Sequence, residues 1–186
     1  MLINLLPKFK IVEINNVAAL RMGHVIAQTP AYVDGDGAKV TCKEVGDYKF
    51  VENGLIVGLD GANVLANYDA TTHSQPCLIY TEELITANLV EGLDQFAELV
   101  PGANKPVYPR ALPLNLGDTF TTNNVDAYSD DAAFATVKDG VLTLVETRDE
   151  AMFAAKASSL PAGQQAIEFT YIGFPAKAKK AANAGE

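Results

Sequence analysis

The chain has no tryptophan, only two cysteines and only two histidines in 186 residues. Two cysteines exclude a disulfide-stapled scaffold, and Cys42 and Cys77 match no zinc-ligand spacing. Both are expected to be reduced, buried and inert, with a Cys42–Cys77 bridge as the alternative. Cations are also short: 14 Lys and Arg stand against 23 Asp and Glu, a formal charge of −9. Phosphate backbones repel so acidic a chain, which excludes nucleic acid as a partner unless the cations cluster. No run approaches the roughly 20 apolar residues that span a bilayer, so no membrane partner is expected. The apolar run Leu2-Ile3-Asn4-Leu5-Leu6 is broken by Asn4 and stopped by Pro7. It has no basic flank and no cleavage pattern, so it is not read as a signal peptide, and synthesis in the cytoplasm is expected.

Glycine (14) and proline (9) occur at ordinary levels, which excludes collagen-like and low-complexity chains. The 48% apolar content is that of a globular chain with a real core. At roughly 100–200 residues per domain, the length fits one large domain or two small ones.

Hydrophobic patterning is mostly that of strands. Ile11, Val12, Ile14 and Val17, then Leu20, Met22, Val25 and Ile26, alternate loosely and predict strands or an extended arm. Asp34-Gly35-Asp36-Gly37 is a turn, and residues 38–51 hold one or two short strands. Asn53-Gly54, between Tyr48-Lys49-Phe50-Val51 and Leu55-Ile56-Val57, predicts a hairpin with a type I′ turn. Residues 76–80 read as a buried strand. A single helix is predicted around 81–99: Thr81 caps it, Glu82 and Glu83 suit its first turn, and Ile85, Leu89, Leu93, Phe96 and Val100 share one face. Gly92 costs such a helix about 1 kcal/mol against Ala, so two shorter pieces are the alternative.

Pro101, Pro106, Pro109 and Pro113 mark residues 101–113 as a linker or crossover. Beyond it, Asp139-Gly140 between residues 133–137 and 141–145 predicts a second hairpin. Residues 152–157 fit strand or helix, 160–163 a turn, and 166–172 a half-buried strand. The expected fold is mainly β, with sandwich or partly open barrel elements and the one short helix, or α+β overall. The expected organisation is a β-rich lobe over 1–100 with an extended arm, the linker, a β-rich lobe over 114–175, and a mobile tail over 176–186.

Chemistry-bearing residues are thinly spread. His73-Ser74, with Asp69 four residues before, offers the types of a Ser/His/Asp triad, but adjacent His-Ser is no nucleophile elbow, and a surface loop histidine is the preferred reading. His24 is expected half-buried and hydrogen-bonded. Asp34 and Asp36 open like a calcium loop, but Ala38 and Val45 occupy later ligand positions. Asp126, Asp130 and Asp131, beside Ser129, form an acidic cluster read as a solvated loop rather than a divalent-ion site. Gly58-x-x-Gly61 lacks the lysine and hydroxyl of a phosphate loop. Lys177, Lys179 and Lys180 read as a solvated tail. No catalytic, cofactor-binding or metal-ligating residue is assigned, which favours a binding or structural role over an enzyme.

Two stretches carry a resemblance. Gly117-Asp118-Thr119-Phe120-Thr121-Thr122-Asn123-Asn124-Val125 and Pro76-Cys77-Leu78-Ile79-Tyr80-Thr81-Glu82-Glu83-Leu84 resemble phrases in capsid decoration (cement) and head fibre proteins of tailed bacteriophages. Residues 139–142 through 160–169 are similar to the last barrel strands of such proteins. The resemblance covers residues 48–175 and brings no catalytic residues. It implies a structural virion protein on the capsid exterior, made in the host cytoplasm, contacting the major capsid protein and assembling as a homo-oligomer, a dimer or trimer. An arm over residues 1–14 is then the capsid-contact candidate, through Leu2, Ile3, Leu5, Leu6 and Phe9, with an ordinary edge strand as the alternative. Removing residues 1–10 is expected to abolish capsid binding and leave the body folded. The other readings are a carbohydrate- or host-surface-binding module of a fibre or tail, and a small hydrolase built on His73 and Ser74.

Overall fold

In the computed structural model the described residues are 10–27, 29–32, 39–41, 43–45, 48–61, 63–80, 97–98 and 106–175. In chain order, β1 (Val12–Asn16) leads into a five-residue helix, α1 (Ala18–Met22). Then come β2 (Ala31–Tyr32), β3 (Lys43–Val45), β4 (Tyr48–Phe50), β5 (Ile56–Leu59), β6 (Leu65–Asn67) and β7 (Cys77–Ile79). Next are β8 (Ala97–Glu98), β9 (Pro106–Val107), β10 (Ala111–Pro113) and β11 (Thr119–Thr122). The last four strands are β12 (Phe134–Lys138), β13 (Val141–Val145), β14 (Phe153–Leu160) and β15 (Gln164–Tyr171). The fold is mainly β, as expected from the patterning.

The first sheet has the order β1-β11-β15-β14-β12-β13 and is antiparallel throughout. Its strands follow the period-two rule: Ile167, Phe169 and Tyr171 are buried, while Glu168 and Thr170 between them are only partly so. Phe120, Phe153 and Phe169 form its centre. The Phe120–Phe153 and Phe153–Phe169 pairs meet edge to face at 6.0 and 6.2 Å, a geometry worth about 0.5–1.5 kcal/mol per pair beyond area burial.

The second sheet has the order β10-β7-β5-β6-β2-β9. Ile56, Leu78 and Leu112 join the phenylalanine cluster, while Val57, Cys77 and Ile79 enter a second apolar cluster with Leu55 and Leu65. Burial on both faces explains why residues 55–57 and 77–79 are unbroken apolar runs. A third sheet, β3-β4-β8, is antiparallel.

Several local expectations are corrected. The 138–141 hairpin is as predicted, with φ of 50° at Asp139 and 79° at Gly140 as a type I′ turn requires. Asn53-Gly54 makes no hairpin, because β4 and β5 belong to different sheets. Its positive φ serves close approach: a Cβ on Gly54 would sit 2.6 Å from Thr122 Oγ1. The helix expected around 81–99 falls on undescribed residues except at 97–98, where the backbone is a strand paired with β4. The described helix is α1, where strand or arm was expected. Ala, Leu, Arg and Met are good helix formers, Gly23 closes its end in the left-handed region, and the Ala18 N–H is capped by Asp118.

Within the stretch read as a linker, β9 and β10 are the two edges of the second sheet. Edge positions tolerate proline, whose missing N–H needs no ladder partner there. β1 pairs with β11 across more than 100 residues of chain. Among the described residues no helix is long and apolar enough to cross a membrane, which says nothing of strands.

Candidate functional site

His73 is not the surface histidine expected. It is 7% exposed, because Gly58 in β5 leaves room for its ring where any Cβ would collide with it. The ring tilts against Tyr68 at 5.8 Å between centroids. Its Nδ1 accepts the main-chain N–H of Asp69 at 2.9 Å, and its own main-chain N–H donates to the Asp69 carbonyl at 2.9 Å. A triad would need the Asp69 carboxylate on that nitrogen. The carboxylate instead accepts the Thr71 N–H and hydroxyl, both at 2.8 Å, and those two bonds hold the carboxyl below its usual range. Ser74, next in the chain, is exposed. The three residues therefore close a loop and do not form a catalytic relay.

That loop forms one wall of an open groove of about 520 Å³, lined by residues 67–70 on one side and 136–139 on the other, with Met152 and Pro175. Asn67 holds the groove's upstream strand: its side-chain carbonyl accepts the Thr41 N–H, its amide donates to Thr41 Oγ1, and Thr41 Oγ1 donates to the Asp139 carbonyl. The Tyr68 hydroxyl is buried without a hydrogen-bond partner, and burial raises its pKa. Cys77, 2% exposed, is likewise pushed up to about 12 by burial, so its thiol stays protonated and unreactive at neutral pH. Cys42 lies outside the described residues.

The acidic cluster stays in solvent. Asp126, Asp130 and Asp131 are exposed; Ser129 Oγ accepts the Asp131 N–H at 3.2 Å. Tyr128 donates to Asp130 at 2.7 Å, which raises the phenol's pKa by stabilising its protonated form. Among the described residues no three His, Cys, Asp or Glu side chains gather as a metal set.

A different feature escaped the sequence. Asp118 is 4% exposed, and its carboxylate accepts the Ala18 N–H at 3.0 Å through Oδ1 and the Asn115 N–H at 2.8 Å through Oδ2. It thereby ties α1 to the tight turn 115–118, which Gly117 closes at φ +88°. The Gly117 N–H donates to the Tyr171 carbonyl, fixing the turn to the first sheet. Three large apolar side chains stand in solvent on these tied segments: Leu20 at 41%, Met22 at 69% and Leu116 at 73% exposed. Arg21 lies between the first two. His24, expected half-buried, is exposed just past the Gly23 cap, because the helix end turns it outward. No signal within residues 18–22 announces this corner, since its anchor is 100 residues away.

The arm candidates Leu2, Ile3, Leu5, Leu6 and Phe9 lie outside the described residues, as do Asp34, Asp36, Glu82, Glu83, Lys177, Lys179 and Lys180. The chain matches no protein-family model, no curated protein and no solved structure.

Proposed function

We propose that the chain is a structural virion protein that binds the outer surface of a phage capsid and stabilises contacts between major capsid subunits. The observation that carries this reading is the exposure of Leu20, Met22 and Leu116 on segments that Asp118 ties together. These side chains are exposed, yet the backbone beneath them is fixed by Asp118 and by two glycines in the left-handed region. Rigid apolar projections lose little conformational freedom on binding and make efficient anchors for a partner protein. The polar residues whose types suit chemistry, His73, Asp69, Asn67 and Asp118, hold loops and strand ends instead. The net charge of −9 keeps many closely spaced copies apart before assembly. Weak contacts repeated over a shell, in a homo-oligomer, then add up through multivalency.

The test is co-sedimentation with shells assembled from the major capsid protein of the same genome. The double variant Met22→Asp, Leu116→Asp should fold normally, since both side chains are in solvent, and should lose shell binding at least tenfold, about 1.4 kcal/mol. Undiminished binding would contradict the reading.

The groove beside Tyr68 favours a second reading, a carbohydrate-binding module. Its volume suits a sugar unit, and the rim offers Thr136, Lys138, Asp69 and Asp139. Binding on a glycan array that is lost on Thr136→Val and Lys138→Ala would support it over the capsid reading.

A further inference from the structure

His73 is the most constrained ionisable side chain that the proposed binding role leaves unused. Its Nδ1 meets a main-chain N–H, which can only donate. Nδ1 therefore presents its lone pair to that N–H, with the Thr72 hydroxyl 3.4 Å away able to donate to it as well, and the ring's single proton sits on Nε2. A second proton would have to go to Nδ1, where it would point at the Asp69 N–H. The Asp69 N–H bond and a charged ring exclude each other, whereas the Thr71, Thr72 and His73 N–H bonds to Asp69 do not involve the ring.

The groups around the ring determine where a charged imidazole can go. On its own loop the ring faces the Tyr68 phenol and the Asp69 carboxylate. β5 presents Gly58, which has no ionisable group. Across the groove from Asp69 stand Lys138 and Asp139. The Asp69 carboxylate attracts an imidazolium, but its Oδ1 is already held by both Thr71 donors.

We propose that His73 is a proton-operated latch on the 69–73 loop. Neutral, it holds Asp69 and Ala70 in place as one wall of the groove. Protonated, it releases them, and the groove opens on that side. The latch does not depend on what the chain binds.

The test uses the whole ¹⁵N-labelled chain taken from pH ~8 to ~5, the range in which imidazoles change charge. Long-range ¹H–¹⁵N spectra read the tautomer and charge of His73, and amide spectra follow Asp69 and Ala70. The expected result is an unprotonated Nδ1 at high pH. As His73 takes its proton, the Asp69 amide should shift and lose its protection from hydrogen exchange. A His24→Gln variant should keep the Asp69 transition, since His24 is exposed past the end of α1. In His73→Phe the ring still fills the space over Gly58 but accepts no hydrogen bond. Its Asp69 amide should be unprotected at every pH, with the acid transition gone. If that variant does not fold, the wild-type titration decides alone. A proton on Nδ1 at neutral pH, or an Asp69 amide whose protection is unchanged while His73 titrates, would overturn the proposal.

Discussion

Asp118 is a buried carboxylate that accepts two main-chain N–H groups from different segments. Replacing Asp118 by Ala leaves the Ala18 and Asn115 N–H groups without their charged acceptor. Bonds to charged groups contribute about 1.5–3 kcal/mol each, and water replaces part of that, so a loss of about 2–4 kcal/mol is expected. Urea unfolding measures it, and faster exchange at the Ala18 amide should accompany it; unchanged stability would mean that the corner is held by packing alone. Asp69 provides a pH-dependent counterpart. Its carboxyl is lowered by the Thr71 N–H first and the Thr71 hydroxyl second. A lowered carboxyl contributes stability above the usual carboxylate range and loses it as pH falls through its own lowered pKa. Thr71→Val removes the hydroxyl but keeps the N–H, so the Asp69 carboxyl should move part of the way up toward its usual range in a ¹³C titration. No movement would contradict the assignment. Asp69 and His73 were singled out in the sequence, but His73's burial and the part played by Thr71 were not. It depends on a missing side chain at Gly58, and nothing local to either residue announces that contact.

Turn chemistry states which backbone angles a segment tolerates, not which strands it joins. Asp139-Gly140 joins two strands that pair, and there the hairpin was legible. Asn53-Gly54 has the same signature, but its flanks go to different sheets, and Gly54 instead packs against Thr122 and Asn124. Two alanine variants separate these roles. Gly117, at φ +88°, has open space around its Cβ position, whereas Gly54, at φ +86°, has Thr122 Oγ1 at 2.6 Å and Asn124 Cβ at 2.8 Å. Gly117→Ala should cost about 1–2 kcal/mol for the backbone alone. Gly54→Ala should cost that and about 1–3 kcal/mol more for the forced contact. Equal losses in thermal or urea unfolding would mean that the Gly54 contact is easily relieved. The helix α1 was illegible for a related reason. Five residues do not make a stable helix alone, and this one is completed by an acceptor on a distant turn.

At the scale of the molecule, apolar periodicity carried the fold class, because half-buried and doubly buried strands leave different patterns. Within residues 106–113, read from their prolines as part of a linker or crossover, two short strands form the edges of the second sheet. The apolar alternation that includes Leu20 and Met22 says nothing of their exposure: with Leu116 they stand on segments that Asp118 ties together across 100 residues of chain. The chain has a net charge of −9, and Leu20, Met22 and Leu116 are exposed on segments that Asp118 fixes; the proposed role is that these side chains meet another protein. The most direct measurement of that role is quantitative mass spectrometry of purified virions, giving copies of this chain relative to the major capsid protein. The account predicts a copy number that scales with the number of major capsid subunits. A handful of copies would place the chain at a vertex or tail and contradict a shell-covering role, and its absence from the particle would contradict any role in the virion.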